Sequence, residues 1–260
     1  MGAWTSRSGH IDVSVRDEVA VITLDRPDRL NALTATMRRE LAAVLRHFGD
    51  GALARGIVLT GTGRAFCAGE DLREAASTAA NGLVAEAELF HDITRAALGT
   101  RVPTLAALNG IAVGGAGELT LCFDARIGTP DAGYFFPEND IGLTVTNAAS
   151  VLLPRLVGVG PALELVLGSA RLNARQALDM GLLDGIVDPA ADLVPAAIRR
   201  IHRWNRPGAA TAEHLALLRP RRDAVEAAMA RESEAVRRTE EIGSARAGID
   251  RFLSRRRARH

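Results

Sequence analysis

A chain of 260 residues, 47% hydrophobic and 24% charged, is sized and composed for one large globular domain or one domain with a smaller appendage. A net charge of +1 gives no general attraction to nucleic acid or an acidic membrane, and no apolar run approaches the roughly 20 residues that span a bilayer. All 32 basic residues are arginine, which excludes a Walker A lysine, a Schiff-base lysine and a lysine general base, although codon composition alone would have the same effect.

The N-terminal segment MGAWTSRSGH has no apolar stretch after its charge, so no secretory leader is expected and a cytoplasmic location follows by default. Residues 11–15 and 19–24 read as a hairpin. A helix follows, with Thr34 as N-cap, a stripe of Met37, Leu41, Val44, Leu45 and Phe48, and Gly51 as its stop. Residues 57–60 form a short buried strand that leads into the turn-rich GTGRAFCAGEDL. The pattern then repeats, with a helix over 81–98, a strand over 104–108, a glycine-rich turn, a helix from about 115 and a strand over 125–128. Alternating strands and helices predict an α/β layered domain.

Beyond Pro154 the periodicity turns helical, with segments at 161–167, 174–180 and 193–202 and a last short strand at 185–187. From Thr211 onward arginine and glutamate are interleaved with Leu215, Leu218, Val225, Met229, Val236 and Ile249. Such an amphipathic tail needs an apolar surface, either its own core or a neighbouring subunit. Cys67 and Cys122 show no pairing or metal-binding pattern and read as small apolar fillers, and no metal ligand set is expected.

Glu118 directly follows Gly114-Gly115-Ala116-Gly117, and Glu138 follows Phe135-Phe136-Pro137. A carboxylate beside a glycine-rich turn can act on a substrate whose developing charge is held by the N–H groups of that turn. The turn is not a dinucleotide fingerprint, because Thr120 stands where the third glycine would fall. Taken by itself, it reads equally well as a packing device or as a cluster of free N–H groups.

Four segments, LDRPDRLNAL, GRAFCAGEDL, PTLAALNGIAVGGAGELTLCFDARI and FPENDIGL, occur in an order and spacing that resembles the enoyl-CoA hydratase/isomerase, or crotonase, superfamily. The resemblance implies a crotonase-like ββα spiral core within the α/β class, over residues 1–200. A C-terminal helical trimerisation region over 201–260 would assemble a homotrimer or dimer of trimers. It implies that Glu118 and Glu138 are the acid/base pair and that the backbone N–H groups of Glu70 and Gly115 hold the thioester oxygen, with the Glu70 side chain turned away from the enolate. Arg26, Leu30, Ala68, Asp71 and Leu72 would lie along coenzyme A, which is part of the substrate, so no separate cofactor is implied. Gly114 and Thr146 would line the substrate site. Arg255, Arg256, Arg257 and Arg259 could reach the 3′-phosphate of a neighbouring subunit's CoA, or could be a solvated tail.

The stretch LTVTNAAS at 143–150 departs from the family's glycine-rich turn. Thr146 occupies the position that resembles the nucleophilic aspartate of the aryl-CoA dehalogenases, and His91 the position of their histidine, although a lone helical histidine more often packs or faces solvent. The expected reaction is reversible hydration of a 2-enoyl-CoA through an oxyanion-stabilised enolate. The alternatives are a double-bond isomerase needing only Glu138, a hydrolase, and a catalytically silent thioester-binding subunit.

Overall fold

The structure, a computed structural model, describes residues 4–77 and 82–257, with the backbone alone at 255–257. The chain opens with the hairpin β1 (Ile11–Arg16) and β2 (Val19–Leu24), followed by α1 (Ala35–Gly49). Then come β3 (Gly56–Gly61), β4 (Ala65–Cys67), α2 (Leu72–Ala76) and α3 (Leu83–Leu98). The next turn supplies β5 (Thr104–Leu108), β6 (Ile111–Val113) and α4 (Gly115–Thr120). After β7 (Ala125–Gly128) and β8 (Gly133–Phe135) lie α5 (Ala149–Val157), α6 (Val159–Leu167), β9 (Arg171–Asn173) and α7 (Ala174–Met180). The tail consists of α8 (Leu193–Trp204), α9 (Thr211–Leu218), α10 (Arg222–Glu241) and α11 (Ser244–Arg257).

Two sheets result, ordered β1-β2-β3-β5-β7 and β4-β6-β8-β9. Each of the pairs β3/β4, β5/β6 and β7/β8 therefore places one strand in each sheet, and the chain advances as a ββα spiral. The first sheet is parallel from β2 to β7, and its strands are apolar on both faces because both faces are covered. Ala20, Ile22 and Leu24 of β2 point toward the stripe of α1, where Met37, Leu41, Val44, Leu45 and Phe48 are all buried. Val19 and Val21 meet Leu193, Ala197, Ile198 and Ile201 of α8 on the opposite face. The Thr34 hydroxyl accepts a hydrogen bond from the Met37 N–H (3.2 Å) and caps α1, which ends at Gly49, two residues before the expected Gly51.

One expectation needs correction. The strand expected at 185–187 is a single bridge of Ile186 to Gly128 at the edge of β7, because the preceding Leu182 and Leu183 turn inward to the core. The short strands of the second sheet, three residues each, were not anticipated, since a run of three is too short to show a period. The tail helices α10 and α11 fold back on their own chain: Val225, Ala228 and Met229 join the main core, and Val236, Ala245 and Ile249 pack with Leu83 and Ala87 of α3. The side chains of Arg255, Arg256 and Arg257, and Arg259 altogether, lie outside the described residues. Among the described residues no helix is long and apolar enough to cross a membrane.

Asn31 ties the first motif to the second. It is fully buried at φ +57°, its side-chain oxygen accepts from the Arg26 N–H (2.9 Å), and its amide donates to the carbonyls of Thr62 (2.9 Å) and Ala65 (2.9 Å). Alanine would leave these groups unpaired and fits the left-handed conformation poorly. Asn31→Ala is expected to lower unfolding free energy by about 2 to 4 kcal/mol, read from urea denaturation.

Candidate active site

The strands β4, β6 and β8 run parallel, so their C-terminal ends share one side of the sheet, and the chain leaving each contributes to one cavity. Ala68, Gly69 and Glu70 follow β4, Gly114 and Gly115 follow β6, and Pro137 and Glu138 follow β8. With Glu118, one turn into α4, they line a space of about 310 Å³. Phe90 from α3 and Val236 and Phe252 from α10 and α11 form the opposite wall.

Gly114 is favoured by its conformation and lies close against Glu138. At φ +56° it ends β6 and caps α4, and a Cβ there would stand 2.7 Å from Glu138 Oε1. Gly115 opens α4, where the first N–H groups of a helix have no partner in the helix itself. Among the described residues neither the Gly115 N–H nor the Glu70 N–H donates a hydrogen bond. The two loops therefore bring two unpaired backbone donors to the same cavity.

Glu118 and Glu138 are both buried, and each has a buried oxygen without a partner, Oε1 of Glu118 and Oε2 of Glu138. The other oxygen of Glu118 is held by Thr146, whose N–H (2.9 Å) and hydroxyl (2.7 Å) both donate to Oε2. Burial, and then the charge of neighbouring Glu138, push the Glu118 carboxyl well above the ordinary range, with the Thr146 bonds opposing them. Burial raises Glu138 to about 7. Two such carboxyls buried in one site titrate as a pair that keeps a proton near neutral pH.

The Glu70 carboxylate accepts from Arg38 Nη1 (3.0 Å). Arg38 is itself buried, also pairs with Glu86, and lies 4.8 Å over the Phe90 ring. Burial raises the Glu70 carboxyl, and Arg38 pulls against that rise. Ala68 and Leu72 line the cavity. Arg26, Leu30 and Asp71 stand behind it: the Ala68 N–H donates to the Leu30 carbonyl (2.9 Å), and Arg26 Nη1 donates to Asp71 Oδ2 (2.6 Å). His91 does not reach the cavity, because its ring is buried between Glu88 (3.3 Å) and Glu232 (3.2 Å).

Residues that the sequence reading missed are Arg38, Asn147 and Glu232. Asn147 Nδ2 donates to the Gly115 carbonyl (3.1 Å) and holds the glycine turn from behind. Arg38 and Glu232 each carried a legible signal, a charge in the apolar register of its helix: Arg38 beside Met37 and Leu41, Glu232 between Met229 and Val236. A roomier cavity of about 580 Å³ lies between Trp204 and α9, and its one carboxylate, Asp124, is bound to Arg219 (2.6 Å).

The two-sheet spiral and the site at the strand ends define the crotonase-like class of fold. A crystal structure of an enoyl-CoA hydratase/isomerase from Pseudoalteromonas atlantica superposes with a TM-score of 0.83 at 25% identity, covering 95% of this chain and 97% of that one. A Rhodobacter capsulatus relative named "Probable enoyl-CoA hydratase" is 39% identical over 173 residues, 66% of each chain, so the match spans just under two thirds of that relative. The short-chain-enoyl-CoA hydratase of Clostridium acetobutylicum is 30% identical over 230 residues, 84% of each chain. The family model for enoyl-CoA hydratase/isomerase matches residues 14–260. The chain belongs to the enoyl-CoA hydratase/isomerase family.

The raised affinity of Glu138 for its proton has a measurable cost. Between about pH 4.5 and 7 the unfolded chain sheds this proton while the folded chain keeps it, so stability falls as pH rises through that window. Glu138→Gln cannot ionise and removes the share of the slope that belongs to this group, leaving that of Glu118, which burial also raises. The variant is expected to be more stable than the parent by about 1 to 3 kcal/mol above neutral pH and equal to it near pH 4, by urea denaturation across the range.

Proposed function

We propose that this protein catalyses the reversible hydration of a 2-enoyl-CoA, with Glu118 and Glu138 as its acid/base pair. The observation that carries this reading is the pair of unpartnered carboxyl oxygens buried in one cavity with two free backbone N–H groups. The thioester oxygen would accept from the N–H groups of Glu70 and Gly115, and attack at Cβ would build negative charge on that oxygen. Fixed donors in a dry site offset such charge, each worth roughly 3 to 4 kcal/mol of barrier. The ionised member of the pair takes a proton from water as it adds to Cβ, and the protonated member delivers one to Cα. Coenzyme A enters only as the handle of the substrate, along Arg26, Leu30, Ala68, Asp71 and Leu72, in the cytoplasm.

Glu118→Gln and Glu138→Gln are each expected to lower kcat by roughly 100-fold with thioester affinity nearly unchanged, followed by loss of the conjugated enoyl absorbance. Full turnover in both variants would sink the reading. Loss in Glu138→Gln alone would point to a double-bond isomerase.

The proposed assembly is a homotrimer or dimer of trimers. It draws on the apolar side chains left outside the core, Leu217 (79% exposed), Leu218 (71%) and Val159 (65%), since burying apolar area returns roughly 25 cal/mol per Å². Sedimentation at micromolar concentration is expected to show a species of three or six chains, and a stable monomer would rule the assembly out.

A further inference from the structure

We propose that Glu232 is a positioning residue for Glu118: from α10 it clamps the first turn of α5, and the chain entering that turn presents the Thr146 N–H and hydroxyl that hold Glu118 Oε2. The inference deepens the hydration reading and rests on it. Glu232 is 3% exposed, 114 residues beyond Glu118 in the chain, and touches no part of the cavity that holds the two catalytic carboxyls. Its Oε1 accepts from the Ser150 N–H (2.9 Å), and its Oε2 accepts from the Ala148 N–H (2.9 Å) and meets His91 Nε2 (3.2 Å). With Glu232 ionised, His91 Nε2 is the donor in that contact.

The turn needs such a clamp. Asn147 (φ +59°) and Ala148 (φ +57°) are consecutive non-glycine residues in the left-handed region, each costing roughly 1 kcal/mol or more, and Ala148 has no side chain to cap α5. The glutamate of α10 supplies the missing cap and meets the positive end of the α5 dipole. Asn147 completes the link. Its side-chain oxygen accepts from the Thr94 hydroxyl (3.2 Å) and its amide donates to the Gly115 carbonyl, so the turn is fixed to α3 and α4 as well as to α10.

Glu232→Gln offers one acceptor and one donor where the carboxylate accepts from three donors, so at least one turn N–H is left facing an N–H. The turn then shifts, and Thr146 loses Glu118 Oε2. A fall in kcat of roughly 10- to 100-fold is expected with a smaller rise in KM, because Thr146 acts on Glu118 alone while Asn147 of the same turn also holds the Gly115 carbonyl.

A second readout needs no substrate: the titration of Glu118 followed by carboxyl-carbon NMR of glutamate-labelled protein. Burial and Glu138 lift the Glu118 carboxyl most, and each Thr146 bond lowers it by more than the like charge of Glu232 lifts it. Losing the Thr146 bonds therefore moves the midpoint up, whereas a turn that stays in place loses only the like charge and the midpoint moves down. An upward midpoint with reduced kcat supports the clamp, and a downward or unmoved midpoint with parental kcat overturns it. Should Glu232→Gln fail to fold, Glu232→Asp keeps the charge but is one methylene shorter. It is expected to move the midpoint up, and an unmoved midpoint with parental kcat overturns the proposal. Parent protein inert toward every 2-enoyl-CoA would sink the hydration reading and leave the midpoint to decide the clamp.

Discussion

Two carboxyl groups buried in one cavity cannot both ionise cheaply, and much of the architecture around Glu118 and Glu138 follows from that electrostatic constraint. Each has a buried oxygen without a partner. A buried polar atom in that condition is costly, and a chain selected for stability alone would have satisfied it or replaced it with an apolar side chain. The second oxygen of Glu118 is held by two donors from Thr146, so the carboxyl is oriented even though it is shielded from water. The site thus combines high proton affinity with fixed geometry, which proton transfer requires.

The surrounding charges are arranged so that they do not compete with that pair. Glu70, which lines the cavity, has its carboxylate turned onto Arg38, and Arg38 lies between Glu70, Glu86 and the Phe90 ring. Glu232 is tied to His91 and to two N–H groups of the α5 turn. Buried ion pairs and caps of this kind add little net stability compared with apolar packing, but losing one partner is expensive, so they specify a single arrangement. The tail takes part in that arrangement: α10 supplies Glu232, and α10 and α11 wall the cavity with Val236 and Phe252.

Thr146 shows how a departure from a family pattern can bring different donors to the same carboxyl. A glycine-rich turn would approach Glu118 with backbone alone. Here the threonine offers a hydroxyl as well as its N–H, and Asn147 bonds the glycine turn from the other side. His91, which the same comparison suggested as a catalytic group, is instead spent on Glu232, because α3 turns it away from the cavity and toward α10.

Local patterns in the chain set the long elements and the chemistry of the motifs. The stripe of α1, the continuous apolar strands β2, β3 and β5, and the glycine turn before Glu118 are all local patterns, and local patterns set period, capping and allowed φ. The four motifs also carried the family, since their order survives without knowledge of contacts. Tertiary structure alone decided that the loops after β4, β6 and β8 meet at one edge, because that depends on three-residue strands whose pairing partners lie tens of residues away. It also decided which donor holds Glu118, what Arg38 neutralises and where Glu232 is used. The charges at 38 and 232 were visible in apolar registers, but a register shows only which face is buried. Which partner waits there is fixed by contacts between distant parts of the chain, and these leave no period in the sequence.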